Sequence, residues 1–369
     1  MQLNPSPIPP TISSEDFARR QATFHRAVYA SEPFVFDDVM TRFWQPPSGC
    51  VAHDHGLLHA RDEWHLFVLS NELALHAELV NAVRAGDWEA AKQSPYTVGD
   101  RHLCGSRLSE LREVGFVLKD SYGEWGTLAH TNSFVFPVGN RWANIHCAMS
   151  QRGQRLCIEW SDDLQTWEPD ASNPLWAPPD WTGGTTVCKG PCVVEHEGRW
   201  LIYYNLNLAE GTSTVSLIST TDFETFEDHG VVLKFPNQFR GTQGCESPCV
   251  FLRNGVWHLM VASGDSWWHA IANRPDGFMG AQGIQSVAAG GVYDMGSFHV
   301  GKVIEYNGQW WMTSSYKAEH RRRCRHADRT VFRGENEDES GLCEGLFVSR
   351  IEWDDDRPVL SKPTEDEIP

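Results

Sequence analysis

One phrase recurs five times along the 369 residues. It is an apolar strand, a short polar turn that often holds Gly, then Trp and a second apolar or aromatic strand. The copies read "HDHGLLHARDEWHLFVLS" (53–70), "TNSFVFPVGNRWANIHCAMS" (131–150), "GPCVVEHEGRWLIYYNLN" (190–207), "ESPCVFLRNGVWHLMVASG" (246–264) and "HVGKVIEYNGQWWMTSSYK" (299–317). Their Trp anchors stand at 64, 142, 200, 257 and 310, at steps of 78, 58, 57 and 53 residues. The turns "EHEGRW", "LRNGVW" and "EYNGQW" suit tight hairpins, because Gly and Asn accept positive φ. Alternating apolar residues on either side suit half-buried antiparallel strands.

Each repeat has room for two further strands, such as "STVSLIST" (213–220). A four-stranded meander of about 50–60 residues is the size of a propeller blade. The expected fold is all-β: a five-bladed β-propeller spanning 41–361, after an N-terminal arm and helix (1–40) and before a C-terminal tail (362–369). The alternative, a β-sandwich, leaves the repeated turn unexplained. Two stretches break the period. Residues 71–128 include "NELALHAELVNAVRAGDWEAAKQSP", whose Ala/Leu spacing predicts a helical insertion; residues 318–343 read as a polar loop. A Pro-rich arm leads to a helix starting near Ser13 or Ser14, with Glu15 and Asp16 in its first turn.

Sixteen Trp and 18 Phe supply a sizeable core, and the net charge of −18 opposes phosphate-backbone binding, so no nucleic acid is expected as partner. No run of about 18 apolar residues is present, so no membrane span is expected. The N-terminus has no signal-peptide pattern, which predicts a cytoplasmic location. The ten cysteines then read as reduced, buried small hydrophobes. Oligomeric state is not set by the sequence.

In a propeller the first strand of each blade lines the central channel, so equivalent positions converge. Asp54, Asn132 and Gly190 lie ten residues before their Trp; Glu246 and His299 lie eleven before theirs, which we read as a turn longer by one residue. Paired carboxylates across a pocket are what glycosidic cleavage needs: one gives a proton to the leaving oxygen, the other activates water or attacks the sugar. Glu246, flanked by Cys245 and Cys249, suits the acid; Asp54, between two histidines, suits the ionised partner. Solvated strand-end charges are the bland alternative for both.

These residues resemble the five-bladed propeller glycoside hydrolases of families 43 and 32, over roughly residues 45–355. "ESP" with "GVWHL" is similar to the family's general-acid strand, and "HDHGLL" with "EWHLFV" to the strand of its base or nucleophile. "SDDLQTWE" and "STTDFETFED" resemble its blade-end phrase, and "GLFVSRIEWDDDRPVLS" its terminal strand. The resemblance implies hydrolysis of a small furanoside or related oligosaccharide, with Asp54 and Glu246 catalytic and no cofactor required. It departs at blade three, where "CKGPCVV" puts Lys189 and Gly190 in place of the family's Arg-Asp-Pro. That aspartate orients the acid and holds sugar hydroxyls, so its absence puts hydrolysis in question. Lys189 either offers a cation to an anionic substrate or points outwards as a solvated side chain.

Substrate contacts are expected from Asn132, Lys189, His299, Trp267 and Trp268. The two tryptophans either stack on a sugar or fill space between blades. His299 either holds a central structural cation or water, or is a hydrogen-bonded structural histidine. Cys188, Cys192, Cys245 and Cys249 share a spacing, but i and i+4 on a strand lie about 13 Å apart, which favours repeat duplication over zinc. The basic run 320–329 is answered by "GENEDES" and reads as a solvated loop. Two further functions keep the same fold: acid–base chemistry such as cyclisation or elimination on another metabolite, and non-catalytic carbohydrate binding.

Overall fold

The computed structural model describes residues 8–369 except 31–33, 35, 49, 73–77, 79–80, 83–84, 94–99, 118–128, 209–211, 237–244, 264–265, 280–290, 294–297 and 318–342. The chain enters through α1 (Ser14–Ala30), the short α2 (Phe36–Val39) and β1 (Thr41–Trp44). Blade one follows as β2 (Cys50–Ala60), β3 (Glu63–Glu72), β4 (Arg101–Gly105) and β5 (Arg112–Phe116). Blade two is β6 (Ala129–Val138), β7 (Arg141–Ser150), β8 (Gly153–Ser161) and β9 (Glu168–Pro169). Blade three is β10 (Cys188–His196), β11 (Arg199–Asn207), β12 (Thr212–Thr220) and β13 (Glu227–Pro236). Blade four is β14 (Glu246–Arg253), β15 (Val256–Ser263), β16 (Ser266–Ala272) and β17 (Gly291–Tyr293). Blade five is β18 (Phe298–Tyr306), β19 (Gln309–Lys317) and β20 (Cys343–Asp354), with β1 and β21 (Arg357–Ser361) both paired to β20. Pairing β1 with the last blade closes the ring, which leaves no open seam.

The five-bladed propeller therefore stands. The helical expectation for 71–128 is corrected in part: β4 and β5 fall inside it as the outer strands of blade one, and α3 (Trp88–Gln93) is the short helix described before them. An insertion between the second and third strands explains why the first Trp step is the longest. The polar loop expected at 318–343 lies outside the described residues, apart from Cys343 at the start of β20.

Each Trp anchor is the second residue of its blade's second strand, and four of them meet a ring from the preceding blade. Trp64 meets Tyr306 at 4.9 Å, Trp200 meets Phe136 at 5.0 Å, Trp257 meets His196 at 4.9 Å and Trp310 meets Phe251 at 5.3 Å. The repeated Trp is thus a seam residue, and the core divides accordingly into five apolar clusters, each seated between neighbouring blades. All five hairpins turn in two residues. In four of them both turn residues have positive φ: Arg61-Asp62, Glu197-Gly198, Asn254-Gly255 and Asn307-Gly308. That is the type I′ turn whose twist matches the strands.

The blade-end phrase is a capping device. Ser161 Oγ accepts the Leu164 N–H at 2.8 Å, and Asp163 Oδ1 accepts those of Gln165 and Thr166 at 2.8 and 2.7 Å. Thr220 and Asp222 repeat it with Phe223, Glu224 and Thr225. Outside the blades, Ser13 Oγ caps α1 by accepting the Asp16 N–H at 3.1 Å. Phe24 and Val28 of α1 enter the cluster between blades four and five. The expected tail is docked on blade one: Leu108 N–H donates to Pro369 O at 2.6 Å, and Arg107 donates to the carbonyls of Glu365, Asp366 and Ile368.

Candidate active site

The innermost strands β2, β6, β10, β14 and β18 share one irregularity. Each has a bulge near its head, between Ala52 and His55, Thr131 and Phe134, Lys189 and Cys192, Glu246 and Cys249, and Phe298 and Gly301. A bulge bends the strand and re-aims the side chains beside it. Asn132, Gly190 and Ser247 occupy the first bulge position at φ 61°, 64° and 52°. This corrects the register read from the sequence. Neither blade four nor blade five has a longer turn. In blade four Ser247 is the counterpart of Asn132 and Gly190, and Glu246 of Lys189 and Thr131, while in blade five His299 directly follows Phe298 at the bulge.

That register brings Lys189 and Glu246 to the same level on adjacent blades, where Lys189 Nζ donates to Glu246 Oε1 in an ion pair. Burial pulls the Lys189 pKa down, but the Glu246 carboxylate and then Asp54 outweigh it, and the pKa is raised. Lys189 thus carries a positive charge within electrostatic reach of both candidate carboxylates. Asp54, 9% exposed, accepts at Oδ2 from Asn132 Nδ2. The Asn132 amide is oriented in turn by Thr131 Oγ1, which donates to its Oδ1 at 3.0 Å. Asp54, Asn132, Lys189 and Glu246 are brought together; the side chains of His299 and Trp267 lie outside the described residues. Among the described residues no cluster of three metal-ligating side chains occurs, and no helix is long and apolar enough to cross a membrane.

The sequence matches no protein-family model and no curated protein. The architecture has counterparts among solved structures. A thermostable family-43 glycoside hydrolase gives a TM-score of 0.61 at 13% identity, over 88% of this chain and 98% of that one. Fructan 1-exohydrolase IIa from Cichorium intybus gives 0.64 at 15% identity, over 90% of this chain and 62% of that one. A GH32 β-fructofuranosidase from Bombyx mori gives 0.60 at 12% identity, over 96% and 71%. The chain has the propeller fold of these glycoside hydrolases.

Within this hydrolase fold, Gly190 does more than lack a carboxylate. A β-carbon there stands 2.9 Å from Asn205 Oδ1 and 3.4 Å from Ser247 N, at a φ that strains L side chains. An aspartate there would have to push the Asn205 amide aside. Trp268 is a core residue: it is 6% exposed, pairs with Val261 and packs in the cluster between blades three and four. Strand alternation turns it into the seam, so it is not a sugar platform.

A buried polar network behind Asp54 escaped the sequence reading. Asp100, 2% exposed, accepts the Ser133 N–H at 3.3 Å, so it fixes the bulge that carries Asn132. Burial, with the Asp54 charge adding, pushes the Asp100 pKa up to about 7. Asn144 Nδ2 donates to Ser133 Oγ at 3.1 Å and to Glu159 Oε1 at 2.5 Å. Burial raises Glu159 well above the usual carboxylate range. Glu159 left a trace in the sequence, since it sits in "LCIEW" amid apolar residues; Asp100 left none.

The cysteine spacing has a structural meaning. Cys192 Sγ accepts the Val250 N–H of blade four at 3.2 Å, and Cys249 Sγ accepts the Val303 N–H of blade five at 3.1 Å. Each thiol ties its strand to the next blade, as repeat duplication predicts. Burial pushes the Cys192 thiol up to about 12, away from thiolate chemistry.

Proposed function

We propose that the protein is a glycoside hydrolase that cleaves a small glycoside at the channel end where the innermost strands begin. Glu246 serves as proton donor and Asp54 as base or nucleophile. The observation that carries this reading is Lys189, which is ion-paired with Glu246 of blade four and lies within electrostatic reach of Asp54 of blade one.

In this reading, Asn132 donates to Asp54 Oδ2, an arrangement an ionised carboxylate accepts. Glu246 must bind a proton before it can pass one to the leaving oxygen, so its contact with Lys189 has to open during turnover. The solved counterparts include a β-xylosidase/α-arabinofuranosidase described with xylotriose and fructan-cleaving enzymes, which makes furanosides and xylosides the first substrates to try. The test is turnover of arabino-, xylo-, galacto- and fructofuranosides by the parent chain, Asp54→Asn and Glu246→Gln. Release of sugar by the parent alone supports the reading; silence from these and from charged glycosides alike contradicts it.

The ion pair favours a second reading. A Glu246 that rests as a carboxylate is a base, and two bases suit proton abstraction from another small metabolite in an elimination or cyclisation. It predicts no sugar release and loss of that other activity in both variants.

A further inference from the structure

Two lysines stand on the strands that line the channel, although the chain carries a net charge of −18. Lys189 heads β10 and is paired with Glu246. Lys302, on β18, is 9% exposed, and its ammonium lies 5.0 Å from the centre of the Phe134 ring. Phe134 belongs to β6, so this contact runs across the channel from blade five to blade two. Among the described residues, no carboxylate lies within ion-pair distance of Lys302. An aromatic face offsets only part of the desolvation of an ammonium, less than burial of an unpaired charge costs.

Among the described side chains of the innermost strands, the carboxylates of Asp54 and Glu246 balance the ammonium groups of Lys189 and Lys302 at rest. Acid catalysis changes that count: once Glu246 binds the proton that it must donate, the four groups carry one positive charge. The same step takes away Lys189's partner. No group on its own strand replaces it, because Gly190 has no side chain and a β-carbon there meets Asn205. One negative charge, supplied from outside the chain and placed at Lys189, satisfies both requirements.

We propose that the glycoside accepted here is a uronoside, whose carboxylate takes Glu246's place against Lys189 and leaves Glu246 to bind a proton. The inference rests on the hydrolase reading of the same site and names its substrate class. A carboxylate against an ammonium is a charge-assisted contact that a neutral hydroxymethyl group cannot make. Among the described residues, the charged and titratable groups around the pair include Asp54 from β2, Cys147 from β7 and Cys245 beside Glu246 on the entry to β14.

Calorimetric titration of the full chain tests it without requiring turnover. The probes are methyl galacturonoside and methyl glucuronoside against methyl galactoside and methyl glucoside, each in two buffers of different ionisation enthalpy. The expected result is uronoside binding at least about tenfold tighter than the neutral sugar, with net proton uptake at neutral pH. Lys189→Met should bring the ratio close to one. Lys189→Arg, which keeps the cation, should preserve it, and Glu246→Gln should bind uronoside without proton uptake, so a misfolded Lys189→Met leaves the test intact. Neutral glycosides bound as tightly as uronosides, or uronosides bound without proton uptake by the parent, would overturn the inference. If neutral glycosides are also turned over, the hydrolase reading survives without it. Binding of neither kind of sugar overturns the inference, while sugar release from the furanoside panel decides the hydrolase reading separately.

Discussion

Lys189 at the head of blade three's innermost strand holds the Glu246 carboxylate at the head of blade four's. Both residues directly precede a bulge, so neighbouring blades present them at one level. The pair makes Glu246 a resting carboxylate, and whatever displaces Lys189 controls whether Glu246 can act as an acid.

Glu246→Gln keeps the size of the side chain and removes its ability to carry a proton. Turnover of glycosides with unactivated leaving groups should fall by at least about 100-fold, the low end of what general acid catalysis contributes. Kinetics with alkyl and dinitrophenyl glycosides check the role: the activated leaving group departs without a proton, so its loss should be much smaller.

Gly190→Asp should not restore a conventional hydrolase site. The left-handed φ and the approach to Asn205 Oδ1 predict a loss of about 1–3 kcal/mol in stability. Chemical denaturation measures this, and an unchanged midpoint with raised turnover would contradict it.

Asp100 ties stability to pH. An unfolded aspartate titrates near about 3.9, whereas burial and the Asp54 charge push this one up to about 7. Between those values the folded chain keeps a proton that the unfolded chain has lost. The contribution is therefore complete below about pH 4 and is lost as pH rises through about 7, over a range of order 4 kcal/mol. Asp100→Asn should flatten denaturation midpoints across this window and be more stable than the parent at pH 8.

How much of this was legible follows from what each part depends on. The propeller was readable because Trp and the two-residue turn recur, and each serves the same seam in every blade. Asp54 and Glu246 were readable as strand-head carboxylates. Their register was not, because a bulge leaves no residue pattern of its own and the extra residue was assigned to the turn. Trp268 was ambiguous because the sequence does not say which face of its strand turns to the channel and which to the seam. Asp100 precedes β4, far from the inner strands in sequence, and only the folding of blade one brings it behind Asp54.

Arg20 of α1 clamps the helix to blades four and five. Its guanidinium donates from Nε and Nη2 to Asp356, a residue 1% exposed, and from Nη1 to Asn254 O at 2.6 Å. Arg20→Ala should cost about 1.5–3 kcal/mol, since it removes charge-assisted hydrogen bonds from a buried carboxylate that keeps, among the described residues, only Arg253 at 4.0 Å and His258 at 3.6 Å, while Arg20→Lys should recover part of that loss. Denaturation curves of the two variants decide it; equal stability of Arg20→Ala and the parent would exclude the clamp.

The most direct measurement is glycoside turnover by the parent chain, Asp54→Asn and Glu246→Gln under identical conditions, with neutral and uronic glycosides side by side. The account predicts sugar release by the parent and at least about a 100-fold loss in each variant, with both variants folded. Equal release by all three proteins, or no release from any glycoside by the parent, would contradict it.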